Sequence, residues 1–289
     1  MNTIDASRVI KAFKLEGKSF AVLDFESSRI DMHMANTDQT RLGVGLPIQI
    51  GALQYDEEGK LTEISKYINQ GDYNPENDMI ETKDKFFSIT DLTGVTRANL
   101  QDEEFADQRI TECQLVQYGF ADSLMIGYNI SYDSRVMKEV YSRCKLPFTS
   151  IQIVDVMAIY IDLYSSVPGY IKYGYNRALQ KPYYSGYKLE DCAHKLRVVE
   201  KGIEQDHDAL SDVQWTLAVL DKIIQDFPDL DYTKYINKIY YNPCYEIPAW
   251  QRLIKEGVSY YPFGTKEKQA KIFNQFTLYN YKNFNESEW

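Results

Sequence analysis

Cysteine, histidine and positive charge are all scarce in this chain. The 289 residues include four cysteines (Cys113, Cys144, Cys192 and Cys244), far apart and with no CxxC pair. That spacing excludes a disulfide framework and argues against a cysteine-bound structural zinc, so the cysteines read as small buried hydrophobes. No apolar run approaches the roughly 18–20 residues that a membrane-spanning helix needs. The opening stretch, MNTIDASRVIKAFKLEGKSF, has neither the apolar core nor the small-residue cleavage site of a signal peptide. No membrane partner is therefore expected, and a reducing, cytoplasmic setting is. The 32 Lys+Arg are outnumbered by 42 Asp+Glu, a formal net charge of −10. This excludes a protein that coats nucleic acid or binds membranes through a polybasic face, while leaving room for a local basic groove.

What the chain does have is core-forming material, 44% of it hydrophobic, so it folds rather than staying disordered. Ser19–Asp24 is a continuous apolar run typical of a strand in the middle of a sheet. A polar loop, residues 29–46, separates it from a second strand over Ile48–Tyr55. Asp56–Lys60 is hairpin chemistry, and a third strand runs from Leu61 to Asn69. From Glu103 the apolar spacing becomes helical, with Phe105, Ile110, Leu115 and Phe120 on one face. Leu124–Tyr128 and Ile151–Asp155 read as further strands around an amphipathic helix that carries Val136, Met137 and Val140. A long helix bearing Ala209, Val213, Leu217, Leu220 and Ile224 stops before Pro228. Three antiparallel strands followed by helix–strand units predict an α/β fold, a mixed five-stranded sheet flanked by helices.

The division that follows is an N-terminal extension (1–18), a main domain (19–227) and a small C-terminal subdomain (228–289). In the last, 15 of 62 residues are aromatic, against 14% for the whole chain. Such a cluster of Tyr and Trp suits a protein interface. Eight tyrosines between Tyr160 and Tyr187, interleaved with Lys172, Arg177 and Lys181, fit either packing over the core edge or stacking of bases.

Three short segments carry candidate chemistry. Asp24 and Glu26 are two apart on a strand, so both carboxylates leave the same face, at the C-terminal strand end where open α/β sheets hold ligands. Two acids so placed repel one another unless a hard divalent cation joins them. Asn129 falls where strand gives way to helix, an N-cap position, and Asp133 lies one turn further on the same face. His207 and Asp212 are five apart, which on one helix separates side chains by roughly 140°. They can share a site only if His207 precedes the helix, with Asp206 or Asp208 capping it.

In chain order, Asp24-x-Glu26, Asn129-x-x-x-Asp133 and His207-x-Ala209-x-x-Asp212 resemble the DEDDh subgroup of the DnaQ-like 3′→5′ exonucleases. That family has a ribonuclease H-like fold and includes the proofreading subunit of bacterial DNA polymerase III. Pro47–Gly51 and Ile89–Thr96 resemble the family's segments at corresponding places, and the likeness spans about residues 19–227. Tyr128 stands where the family often has His and Tyr132 where it often has Phe; the 29–46 and 156–187 segments look longer than in minimal members. The resemblance implies that Asp24, Glu26, Asp133 and Asp212 hold two divalent ions, Mg²⁺ or Mn²⁺, and that His207 is the general base. It implies contacts to the terminal nucleotide from Phe25, Leu92, Thr93 and Asn129. The partners it implies are 3′ ends of single-stranded DNA or RNA; a protein partner through the C-terminal region is expected from that region's aromatic composition instead. Two other readings compete: a catalytically silent binding module of the same fold, and a metal-free two-carboxylate hydrolase that uses Asp24 and Glu26 alone.

Overall fold

The computed structural model describes residues 6–28, 45–81, 86–101, 118–146, 152–164, 167–176, 181–185, 187–200, 202–241 and 277–280. Its centre is the mixed five-stranded sheet that the sequence predicts. Strands β1 (Phe20–Ser27), β2 (Pro47–Tyr55) and β3 (Leu61–Tyr67) form an antiparallel meander. A ribbon of β4 (Met79–Glu81) and β5 (Phe86–Ser88) leads into two short helices, α2 (Ile89–Thr93) and α3 (Arg97–Leu100). Strand β6 (Leu124–Gly127) then pairs parallel to β1, helix α4 (Ser131–Arg143) crosses over, and β7 (Gln152–Asp155) pairs parallel to β6. The sheet order is β3-β2-β1-β6-β7, which puts β1 at the centre. The remaining elements are α5 (Val156–Tyr164), the hairpin β8 (Lys172–Asn176) and β9 (Lys181–Ser185), α6 (Leu189–Lys195), α7 (Ala209–Asp226) and the pair β10 (Lys238–Tyr241) and β11 (Thr277–Asn280). The helical stretch expected from Glu103 lies outside the described residues for most of its length.

Strand alternation sorts the two faces. Ala21, Leu23 and Phe25 of β1 join Ile50, Ala52, Met125 and Ile153 against Val136, Met137 and Val140 of α4. Phe20 and Val22 point the other way, with Leu53, Tyr55, Ile126 and Val154, into a larger core built by α5, α6 and α7. Asp24 and Glu26 continue the second series, so they leave the sheet on the side of α7. Ile48 of β2 packs with Ile89, Val95 and Leu100, which seats α2 and α3 near the end of β2 that pairs with Ser27. Among the described residues, no helix is long and apolar enough to cross a membrane.

Segments on either side of the stretch from β1 to α7 contribute to the larger core. Helix α1 (Ser7–Phe13), a short element that the strand-first reading passed over, buries Val9 and Phe13 there. Its Arg8 grips Asp221 of α7 through two bonds, Nε to Oδ1 at 2.6 Å and Nη2 to Oδ2 at 2.7 Å. Tyr232 and Tyr235 are buried in the same core, and the Tyr232 hydroxyl donates to the carbonyls of Ile223 and Phe227 at the end of α7. Asn237 pairs with the β7 edge, its N–H donating to the Ile153 carbonyl and its Oδ1 accepting from the Ile153 N–H. Of the C-terminal region expected to meet a protein partner, residues 228–289, those from 242 onward lie outside the described residues except for β11. Of the eight clustered tyrosines, Tyr160 and Tyr164 are buried on α5, and Tyr170 stacks on Tyr164 with ring centroids 4.7 Å apart. Packing over the core, not base stacking, therefore accounts for those three.

The Phe13 ring has 2% of its surface exposed and leans on Tyr232. Phe13→Ala should cost about 3–5 kcal/mol by cavity formation and lost burial, read as a lowered urea midpoint with an unchanged m-value.

Candidate metal centre

The acids meet at the C-terminal end of β1. Asp24 pairs with Gly51 and Glu26 with Gln49 of β2, so both carboxylates rise beside that strand toward the first turn of α7. There stands Asp212, 5% exposed and in the first turn of its helix. Asp133 arrives from the start of α4 and is anchored by the Phe25 N–H, which donates to its Oδ1 at 3.0 Å. The structure thus brings Asp24, Glu26, Asp133 and Asp212 to one strand end from three elements.

His207 precedes the helix, as the five-residue spacing demands. Asp208 is the N-cap of α7, its Oδ1 accepting from the N–H groups of Leu210 and Ser211. His207 itself holds a left-handed backbone, φ +53°. For a residue with a Cβ that conformation is uncommon, and such strain gathers at functional sites. The turn puts one ring nitrogen within 4.8 Å of carboxylate oxygens of both Glu26 and Asp212.

Ionising these acids together is costly. Glu26 is pushed up to about 9, first by burial and then by the charges of Asp24, Asp212 and Asp133. Asp212 rises to about 8, chiefly through burial and then the charge of Asp24, while a hydrogen bond from Gln205 pulls the other way. Burial and the Asp133 carboxylate hold Asp24 well above the carboxylate range. Asp133 is also raised, by burial before all else. Burial lowers His207, which keeps its ring neutral near neutral pH.

The donor set fits a hard divalent cation. Asp212 Oδ2 accepts from the Gln205 side chain at 2.6 Å, but its Oδ1 is buried with no hydrogen-bond partner. A buried carboxylate oxygen left unpaired is expensive; a cation shared with Glu26 and Asp24 removes that cost, and oxygen-rich, carboxylate-lined sites suit Mg²⁺ and Mn²⁺. Asp208 is close enough to raise Asp24 and Glu26. Its oxygens, however, are taken by the helix N–H groups and by Gln49, whose Nε2 donates to Oδ2 at 2.7 Å.

The nucleotide-contact candidates are less uniformly placed. Asn129 does not cap α4: the helix begins at Ser131, and the Asn129 side chain takes only a long 3.4 Å bond from Ser131 Oγ. Its own backbone is left-handed, φ +58°, and its N–H donates to Asp155 Oδ1, so the side chain stays exposed. Phe25 is buried beneath the acids and contributes its backbone N–H to Asp133. Thr93 is buried too, its hydroxyl donating to the Ile89 carbonyl and accepting from the Val95 N–H. Leu92 is half-buried beside it on α2. Sequence reasoning gave no part to Asp155, which is 1% exposed and ties the Asn129 and Met157 N–H groups to the end of β7. It also overlooked Gln205. Asp155 ends a parallel strand, the rule that exposed Asp24, and could have been found by it.

No family model matches this chain, and no curated protein matches it. Among solved structures it is similar to E. coli exonuclease I in complex with a dA16 oligonucleotide, with 18% identity, covering 72% of this chain and 41% of that one at a TM-score of 0.45. The zinc-bound form of the E. coli ExoI–ssDNA complex gives 17% identity, 73% and 41% coverage and a TM-score of 0.49. The ExoI/SSB-Ct complex gives 18%, 73%, 42% and 0.47. The match therefore spans about two fifths of the length of those exonuclease chains.

The raised carboxylates set a pH and metal signature. Groups whose folded pKa exceeds the unfolded value keep protons that the unfolded chain releases. Their contribution to stability is whole below about pH 4 and is lost as pH climbs through the folded values of Asp212 and Glu26, about 8 and about 9. In EDTA, thermal scans should show a melting temperature that falls between pH 5 and pH 9. Saturating Mn²⁺ should restore roughly 5–10 °C, from about 2.7 kcal/mol of linkage at 100 Kd. The gain should grow with pH and shrink in Asp212→Asn.

Proposed function

We propose that this chain is a divalent-metal-dependent 3′→5′ exonuclease that trims single-stranded DNA ends, or RNA ends, to nucleoside 5′-monophosphates. The observation that carries the reading is the meeting of Glu26, His207 and Asp212 within 4.8 Å of one another, with Asp24 on the same strand face and Asp133 bonded to the Phe25 N–H between them. The polarity and the ends it acts on are what the resemblance of the three motifs to the DnaQ-like 3′→5′ exonucleases implies. Asp24, Glu26, Asp133 and Asp212 would hold two ions, Mg²⁺ or Mn²⁺, which when bound polarise the scissile phosphate and stabilise the attacking and leaving oxygens.

The chain's own residues do the rest. His207 lies beside Glu26 and Asp212 with its pKa lowered by burial. It is thus free to take a proton from an attacking water at neutral pH. Its lead-in turn sets the ring ahead of α7 and clear of the helix backbone. Asn129, whose side chain is exposed, would hold the terminal nucleotide, with Leu92 as an apolar contact for its base. The net charge of −10 disfavours long phosphate contacts, which suits an enzyme that grips only an end.

The test is digestion of 3′- and 5′-labelled single-stranded DNA and RNA of matched sequence in Mg²⁺, Mn²⁺ and EDTA. Mononucleotides should leave the 3′ end only when metal is present. Asp24→Asn should lower the rate by at least about 100-fold, and His207→Ala by roughly 100- to 10,000-fold with Mn²⁺ binding retained. A folded, Mn²⁺-loaded protein that cleaves nothing would replace this reading with a silent binding module. Cleavage that survives EDTA would remove the metals from it.

A further inference from the structure

Gln49 lies opposite Glu26 in the β1–β2 ladder and is 1% exposed, an expensive place for a primary amide. Both ends of that amide are spent on the start of α7. Its Nε2 donates to Asp208 Oδ2 at 2.7 Å, and its Oε1 faces the Ala209 N–H at 3.5 Å. Two residues on, Gly51 lies opposite Asp24. A Cβ there would come within 2.3 Å of the Ala209 carbonyl carbon and the Leu210 nitrogen, so the helix backbone rests directly on the strand. The two β2 residues that pair with the two acids of β1 are therefore the two that fix the first turn of α7, one residue from His207 and one turn from Asp212.

We infer that Gln49, with Gly51, is the positioning element of the metal centre: it sets the separation between the strand pair Asp24 and Glu26 and the helix pair His207 and Asp212. Neither belongs to the proposed ligand set, and the Gln49 amide is engaged by Asp208 and Ala209. Gln49 acts through Asp208, whose carboxylate it holds on the helix cap and out of the ligand set. This inference rests on the metal reading above. Groups that orient metal ligands in this way cost roughly 10- to 100-fold in metal affinity when removed.

The experiment is a Mn²⁺ titration followed by electron paramagnetic resonance of the free ion, well below the melting temperature. It compares wild type, Gln49→Leu, Gly51→Ala and an Ile224→Ala control about three turns along α7 from the site. Gln49→Leu fills the same space without donor or acceptor; Gly51→Ala wedges the helix off the strand. Both should weaken Mn²⁺ binding by roughly 10-fold or more and lower kcat with the oligonucleotide KM little changed. Ile224→Ala should lower the melting temperature and leave Mn²⁺ affinity as in wild type. Loss of stability in both β2 variants with wild-type Mn²⁺ affinity would overturn the inference and leave the metal reading standing. A wild type that binds no Mn²⁺ would overturn the metal reading itself.

Discussion

Repulsion among buried carboxylates is the constraint around which this structure is arranged. Burial makes Glu26 hard to ionise, and the charges of Asp24, Asp212 and Asp133 each make it harder. Protons, or cations, must enter to relieve it. A fold selected for stability alone would have spread these acids or paired them with lysine and arginine. The loop that leads into α7 instead offers the neutral amide of Gln205, and an Asp212 oxygen is left bare. Local instability of that kind is how a protein keeps affinity for a doubly charged ion in reserve.

The elements that hold the cluster are buried and tied to one another. Asp24 and Glu26 sit on the central strand, between β2 and β6. Helix α7 is fixed at both ends: at its start by Asp208, Gln49 and the Gly51 contact, at its close by Tyr232 and the Arg8–Asp221 pair. Helix α4 is tied to β1 through the bond from the Phe25 N–H to Asp133. The two positive-φ residues at the site, Asn129 and His207, each lie on the turn into one of these helices. Their strain is borne by the packed helices behind them, and in exchange the side chains escape the helix surface.

Much of this was legible in the sequence because period and position speak directly. The β1 apolar run, the two-residue spacing of Asp24 and Glu26 and the five-residue spacing of His207 and Asp212 each admit few geometries. The lead-in loop before α7 followed from helix angles alone, and residue type narrowed its cap to Asp206 or Asp208, of which the structure uses Asp208. Less was legible where a residue's part depends on a distant backbone. Asn129 looks like a cap in sequence, yet a left-handed turn tied to Asp155 across the sheet moves the helix start past it. Gln49 reads as one polar residue in a strand until the sheet register sets it opposite Glu26 and under Asp208. Helix α1 escaped notice because seven residues make a weak periodic signal, and its Val9 and Phe13 acquire meaning only against α7.

The central claim is that the acids at the end of β1 form one metal-binding unit, and diffraction at the manganese absorption edge from Mn²⁺-soaked crystals tests it most directly. The account predicts anomalous peaks among Asp24, Glu26, Asp133 and Asp212, with Asp212 Oδ1 as a ligand and Asp208 outside the coordination sphere. Well-ordered crystals with no peak there at saturating Mn²⁺, or with peaks only on other surface carboxylates, would contradict it.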